Sequence, residues 1–216
     1  GPAPGLLRWP MVGRIRFLAS LVVALFLVIT GITAAEAASP AAGESLAGRL
    51  LVAAPSMPDP RFARTVIYIV EHNANGAMGL VINKVIGRGP LDEFLKGFDI
   101  QADEDMGSVN LHYGGPVERS RGLILHTGDY RNDTTTVVNK SFSMPMDLDV
   151  LKAMGRGAGP RRTIVALGYS GWGPGQLEGE MKRDDWDVAV PDEDLVFDDE
   201  VETMWKRARE RVRIKL

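Results

Sequence analysis

The chain contains no cysteine among its 216 residues, which excludes disulfides, thiolate nucleophiles and cysteine-ligated zinc in one step. It has only three histidines, His72, His112 and His126, and none stands four residues from another in the H-E-x-x-H pattern of a strong zinc signature. A basic surplus is also missing. Residues 38–216 carry 22 basic and 27 acidic side chains, a net charge of −5, which disfavours binding to a phosphate backbone. No internal repeat is visible. With 45% hydrophobic and 25% charged residues, the chain has the composition of an ordinary globular protein.

One long uncharged run stands near the N-terminus. Phe17 to Ala35 are 19 consecutive residues without charge, preceded by Arg14 and Arg16 and followed by Glu36. With Met11 as the start, this order of basic, apolar and small residues, ending Ala35-Glu36-Ala37, reads as a secretory signal. An uncleaved anchor is the rival reading, since a spanning helix needs about 20 apolar residues. Either places the globular part outside the cytoplasm, periplasmic or anchored to the membrane. Contact with a membrane is then expected only through this segment if it is uncleaved. A mis-assigned start would leave the protein cytoplasmic. The expected organisation is a leader over 1–37, a linker over 38–45 rich in Ala, Ser, Pro and Gly, and a single domain over 46–216.

Within that domain, residues 49–54, 65–71, 79–83, 122–127, 135–139 and 163–169 read as strands, several apolar on both faces and so expected in a covered sheet. The three prolines of residues 55–62 mark a fixed loop. Helices are expected behind Pro90 (Leu91, Phe94, Leu95), from a cap at Asp147 to a stop at Gly155, and at the C-terminus. There Val201, Met204, Trp205, Ala208 and Val212 share one side, with Asp198, Asp199 and Glu200 at the start and Arg209, Arg211 and Arg213 near the end. Strands interspersed with short helices indicate an α+β fold.

Glycine is concentrated at three corners: 76–83, 114–117 and 168–180, the last holding five glycines. Such density marks unusual backbone or close approach. Gly168-Tyr169-Ser170-Gly171-Trp172 approaches the G-x-S-x-G nucleophile elbow, but Trp172 occupies the second glycine's place, so Ser170 is read as a turn hydroxyl. Gly173-Pro174-Gly175 leads into a helix whose Glu178 and Glu180 act as dipole partners. His72 and His126 close apolar strands, where a half-buried imidazole bonds a carbonyl or a cleft residue emerges. No metal ligand set is assigned, because the spacing of a zinc site is missing. Trp172, Trp186 and Trp205 read as core, with Trp172 the exception to test as a ligand platform because glycines flank it.

The run Pro55, Met57, Asp59, Phe62, Glu71-His72, Gly76-Ala77-Met78-Gly79, Asn83, Gly114-Gly115-Pro116-Val117, His126, Gly171-Trp172 and Gln176-Leu177-Glu178 with Glu180 resembles the AlgH/YqgE family over residues 46–207. The resemblance implies an α+β domain with a mixed, largely antiparallel sheet, a β-barrel-like part and short flanking helices. It implies no assigned biochemical activity and no known cofactor. The family's name suggests regulation of gene expression, of the alginate or exopolysaccharide type. Members generally lack a leader, so this chain departs from the pattern at its N-terminus.

These readings combine into an expected non-catalytic binding or envelope-associated accessory module with an unidentified ligand or protein partner. Its ligand-binding candidates are Glu71, His72, Asn83, Gly114, Gly115, His126, Gly171, Trp172, Gln176 and Glu178. The alternative is a hydrolase using His72 and His126 as metal ligands or base and Glu178 as acid or base.

Overall fold

The fold is organised around its longest buried apolar strand, Thr163–Trp172. The computed structural model describes residues 45–102, 106–132, 136–138, 142–144 and 148–214, all within one compact unit. Its strands, in chain order, are β1 (Leu50–Ala53), β2 (Val66–Asn73), β3 (Gly76–Val81), β4 (Val85–Pro90), β5 (Ser108–Tyr113), β6 (Val117–Thr127), β7 (Thr136–Val137), β8 (Phe142–Met144), β9 (Thr163–Trp172), β10 (Trp186–Ala189) and β11 (Val212–Ile214). The helices are α1 (Leu91–Lys96), α2 (Leu148–Gly155), α3 (Gln176–Lys182), α4 (Glu193–Val196) and α5 (Val201–Glu210). The expected leader, the linker up to residue 44 and Asp147 lie outside the described residues.

Strand β9 has two different neighbours along one edge. Its first half runs parallel to β5, with Leu111 opposite Val165, and its second half runs antiparallel to β3, with Ala77 opposite Trp172. Strand β6 follows the other edge antiparallel. The full order is β11-β10-β1-β2-β3-β9-β6-β8-β7, with β4 and β5 branching off at β9. Apart from the β5–β9 pair, the ladders are antiparallel, so the α+β class with a mixed, largely antiparallel sheet holds.

Side-chain alternation explains why the strands read as continuous apolar runs. Leu50, Val52, Val66, Tyr68, Leu80 and Ile82 share one core with Leu123, Leu125 and Ile164, which come from the other half of the sheet. The two halves thus enclose a common interior, the barrel-like part, although the pairing path runs from β11 to β7 without closing. Helices α4 and α5 cover this interior through Leu195, Val196, Met204 and Ala208, and the Trp205 indole donates to the Ala53 carbonyl at 2.8 Å. On the outer face of β1–β3, Leu51, Ile67, Ile69 and Val81 pack with Trp172, Leu177 and Trp186. On the outer face of β5, β6 and β9, Leu111, Ile124 and Val165 pack with α1 and α2.

Two helix ends differ from the sequence reading. The C-terminal helix stops at Glu210, and Val212 and Arg213 belong to β11, which pairs with β10. The α2 helix includes Gly155, and its exit is made at Gly157, whose φ is +65°. The left-handed position lies two residues later than the first glycine, and there a glycine costs least.

Candidate functional site

The glycine-rich corner after β9 builds the best-connected polar cluster. Gly175, at φ +72°, caps α3, and the Gln176 side-chain carbonyl accepts the Gly173 N–H at 3.1 Å. Leu177 is buried under the sheet, so α3 lies flat on the outer face of β2 and β3 with its acidic residues at the seam. Gly76 passes so close to Trp172 that a Cβ there would stand 2.1 Å from the Trp172 carbonyl oxygen. The backbone approach requires glycine.

Glu180 is the centre of this cluster. One of its carboxylate oxygens accepts both the Trp172 and the Trp186 indole N–H, each at 2.8 Å, and the other accepts Gln176 Nε2 at 2.9 Å. The two indoles stand edge to face with centroids 6.2 Å apart, and Phe62 adds a second edge contact to Trp186 at 5.8 Å. Trp172 is buried, so it belongs to the core and is no exposed platform. Glycine flanks deny it neighbours in sequence, yet the strand face supplies them in space.

His72 sits beside this cluster with both ring nitrogens engaged. Nδ1 accepts the Leu46 N–H at 2.9 Å, so its proton is on Nε2, which donates to Glu178 Oε1 at 2.9 Å. Ser45 Oγ donates to the His72 carbonyl at 2.9 Å, which ties the chain entering the domain to the same point. The backbone N–H of Glu178 and then the His72 imidazole hold the Glu178 carboxyl below the usual glutamate range. Glu71, next in β2, accepts from Asn73 Nδ2 at 2.6 Å and borders a depression of about 160 Å³ with Asn73, Asn75 and Trp172.

Of the ten candidates, Glu71, His72, Gly171, Trp172, Gln176 and Glu178 therefore gather at the β2–β3–α3 seam, while the other four lie elsewhere. Asn83 clamps the start of β2: its Oδ1 accepts Val66 N–H at 2.8 Å and its Nδ2 donates to the Arg64 carbonyl at 2.9 Å. Gly114 and Gly115 press against the Gly168–Tyr169 backbone, where a Cβ would meet main-chain atoms at 2.1 Å. Gly114 N–H donates to Leu167 and its carbonyl accepts Val81 N–H, so this corner is where β9 exchanges β5 for β3. Ser170 lies within β9 opposite Gly79, not in a turn as expected, and its buried hydroxyl donates to the same Gly114 carbonyl at 3.4 Å.

His126 lies in the other half of the sheet from His72. It is fully buried on the Ile124 face of β6, edge-on to Tyr130 at 5.8 Å, and its Nδ1 donates to the Thr127 carbonyl at 2.8 Å. His72 is on the α3 side of the other half of the sheet, so the two imidazoles are not placed to share an ion or a substrate. Among the described residues no group of three His, Asp or Glu side chains is arranged to hold a metal.

Neither Glu180 nor His112 is among the ten ligand-binding candidates, and both matter. The partners of Glu180 come from different strands, and no local spacing joins them. His112, inward-facing on β5, is 4% exposed, and its Nδ1 has no hydrogen-bond partner. It borders a cavity of about 110 Å³ together with Ser108, Asn110, Thr163, Phe197 and Asp199. Burial pushes its pKa down to about 4, against the opposing effects of the Ile82 carbonyl and the Asp199 carboxylate. The imidazole is therefore neutral at pH 7, and its Nδ1 is a buried acceptor that no protein group meets.

Comparison with known proteins is consistent with this architecture. The family model described as AlgH-like (DUF179) matches residues 50–216. A UPF0301 protein of Methylococcus capsulatus is 45% identical over 161 residues, 74% of this chain and 88% of that one. A UPF0301 protein of Rhodospirillum rubrum is 44% identical over 169 residues, 78% of this chain and 88% of its own. The solution structure of the AlgH protein from Pseudomonas aeruginosa superimposes with a TM-score of 0.65 at 34% identity, covering 82% of this chain and 94% of that one. A crystal structure of a Corynebacterium diphtheriae protein, 23% identical with a TM-score of 0.63 and covering 82% of this chain and 92% of its own, shares the fold.

Proposed function

The chain belongs to the AlgH-like family, and from that premise we propose that it is a non-catalytic binding module working outside the cytoplasm. The observation that carries this reading is a contrast between two polar regions. At the α3 seam the groups a hydrolase would need are spent on internal bonds: His72 on Leu46 and Glu178, and Glu180 on two indoles and Gln176. A general base must reach the proton it removes, and an imidazole whose Nδ1 already holds a backbone N–H has no such lone pair to offer. The cavity beside β5 differs, since it is bordered by Asn110 and Asp199, whose amide oxygen and second carboxylate oxygen have no described protein partner. A ligand that donates to them completes their hydrogen bonding, which favours binding there.

The extracytoplasmic part of the reading is supported by Arg14, Arg16, the uncharged run Phe17–Ala35 and the Ala-Glu-Ala triplet after it.

The test is equilibrium dialysis of the full chain against a small-molecule extract of its own cells, with mass spectrometry on both sides. The reading expects a compound enriched on the protein side with its mass and total amount unchanged. Consumption of a compound with appearance of a new mass, or no enrichment at all, contradicts it. N-terminal sequencing and fractionation test the compartment: a mature start near Ala38 or a membrane-held chain is expected, and a cytoplasmic chain carrying residues 11–37 intact refutes it.

A further inference from the structure

One residue, His72, holds the start of the described chain at two points. The Leu46 N–H donates to His72 Nδ1 and the Ser45 hydroxyl to the His72 carbonyl, each at 2.9 Å. The Ser45 oxygen also accepts the Ala47 N–H at 3.3 Å, so the first three residues form one knot on the end of β2. Two residues after Leu46 the chain turns at Gly48, whose φ is +78° and whose N–H donates to the Ile69 carbonyl at 2.8 Å. That conformation is one glycine adopts without strain.

The bond from Leu46 exists only while the imidazole is neutral. Nε2 already carries a proton and donates to Glu178 Oε1 at 2.9 Å, so a second proton must go to Nδ1. An N–H on Nδ1 would face the N–H of Leu46, and neither can accept. The same proton strengthens the opposite side, where an imidazolium donates to the Glu178 carboxylate in a charge-assisted bond. Solvent can deliver it, because the His72 side chain is 11% exposed. Glu178 is the charge that meets the ring from α3, and Lys182 of the same helix acts on Glu178 in turn. On β2 itself Glu71 is bonded to Asn73, β3 sets Ala77 opposite His72, and residues 45–48 carry no ionisable side chain.

We propose that His72 is a pH-operated latch on the entry to the domain. The neutral ring holds Ser45 and Leu46 against β2; the protonated ring stays with Glu178 and lets them go, with Gly48 as the hinge. The latch is closed at higher pH and opens as pH falls. An imidazole is the side chain suited to this, since its ordinary charge change lies between pH 5 and 8. His72 does not border the cavity beside β5, so failure of the latch leaves the binding reading standing.

The test follows hydrogen exchange at the Leu46 amide of the full chain from pH 8 to pH 5, expressed as protection relative to the free peptide, with the His72 ring ¹⁵N signals recorded in parallel. Protection is expected to fall roughly fivefold, the equilibrium equivalent of one ordinary hydrogen bond, in step with the second proton on His72. In His72→Asn, whose side-chain oxygen can take the place of Nδ1 and does not titrate, protection at Leu46 should be independent of pH. In Glu178→Gln the ring loses its carboxylate, so the fall should move to lower pH. A His72 ring that gains its second proton with Leu46 protection unchanged overturns the proposal. So does a ring that stays neutral down to pH 5, the same fall persisting in His72→Asn, or an unmoved midpoint in Glu178→Gln.

Discussion

Trp172 and Trp186 donate their indole N–H groups to the same oxygen of Glu180, each at 2.8 Å, while their rings meet edge to face. One carboxylate therefore joins the end of β9, the start of β10 and helix α3. Replacing Glu180 with Ala leaves two buried indole donors unpaired, and Trp172 and Trp186 are only 7% and 5% exposed. We expect a loss of about 3 kcal/mol, from the 1–3 kcal/mol cost of each stranded donor. Urea unfolding followed by tryptophan fluorescence measures it, and a loss below about 1 kcal/mol would contradict the anchoring role.

Trp172→Ala is expected to destabilise by roughly 3–5 kcal/mol, the range for removing a buried aromatic. Trp172→Phe keeps most of the packing and loses the bond to Glu180, so it should cost less. Thermal unfolding of both variants separates a core indole from a solvent-facing platform, for which neither substitution would matter.

The pH dependence of stability is expected to carry the signature of His112. The folded-state pKa is about 4 against the ordinary 6.5, because burial disfavours the charged ring despite the nearby Asp199. The unfolded chain therefore binds the proton first as pH falls. Stability is complete above about 6.5 and falls by roughly 3 kcal/mol between there and pH 4, from 1.36 kcal/mol per unit. Comparing wild type with His112→Gln across this range isolates the contribution, and parallel curves would contradict it.

Glu178 should act lower on the scale and through a different route. Its carboxyl is held below the ordinary glutamate value by its own backbone N–H and by His72. That contribution is present above the unfolded pKa and is lost as pH falls through the folded one. Glu178→Gln should thus lose stability relative to wild type near neutrality and converge with it in acid. Divergence in acid would reverse the assignment.

Gly115→Ala is expected to cost more than about 4 kcal/mol or to prevent folding, because its Cβ would stand 2.1 Å from the Tyr169 backbone. At Gly89 nothing lies within 4 Å, and alanine there should stay within about 0.5 kcal/mol. Expression and melting of the pair test whether the Gly114–Gly115 corner is a contact between backbones.

Sequence patterning reveals the strands that are buried on both faces, because residues such as Leu50–Ala53 and Ile164–Ala166 have no polar side to interrupt the apolar run. It misses β4, where Val85, Ile86 and Arg88 are exposed at an edge, and it extends α5 into β11 because Val212 keeps the helical spacing. The glycine corners signal close backbone approach, and that is what Gly114, Gly115 and Gly76 provide. The polar candidates read as one patch in sequence because each ends a strand. They divide in space because His72 and His126 lie on the outer faces of different halves of the sheet. The cavity is less legible still, since Asn110 and Asp199 are 89 positions apart and only the docking of the segment before α5 brings them together.

The ring nitrogens of His112 report the central claim most directly. A ¹⁵N imidazole spectrum of the full chain at pH 7 should show Nδ1 unprotonated and Nε2 carrying the proton, with the ring taking its second proton only near pH 4. A protonated Nδ1 at pH 7, or a ring that takes its second proton near 6.5, would contradict the account of a buried, neutral and unpaired acceptor.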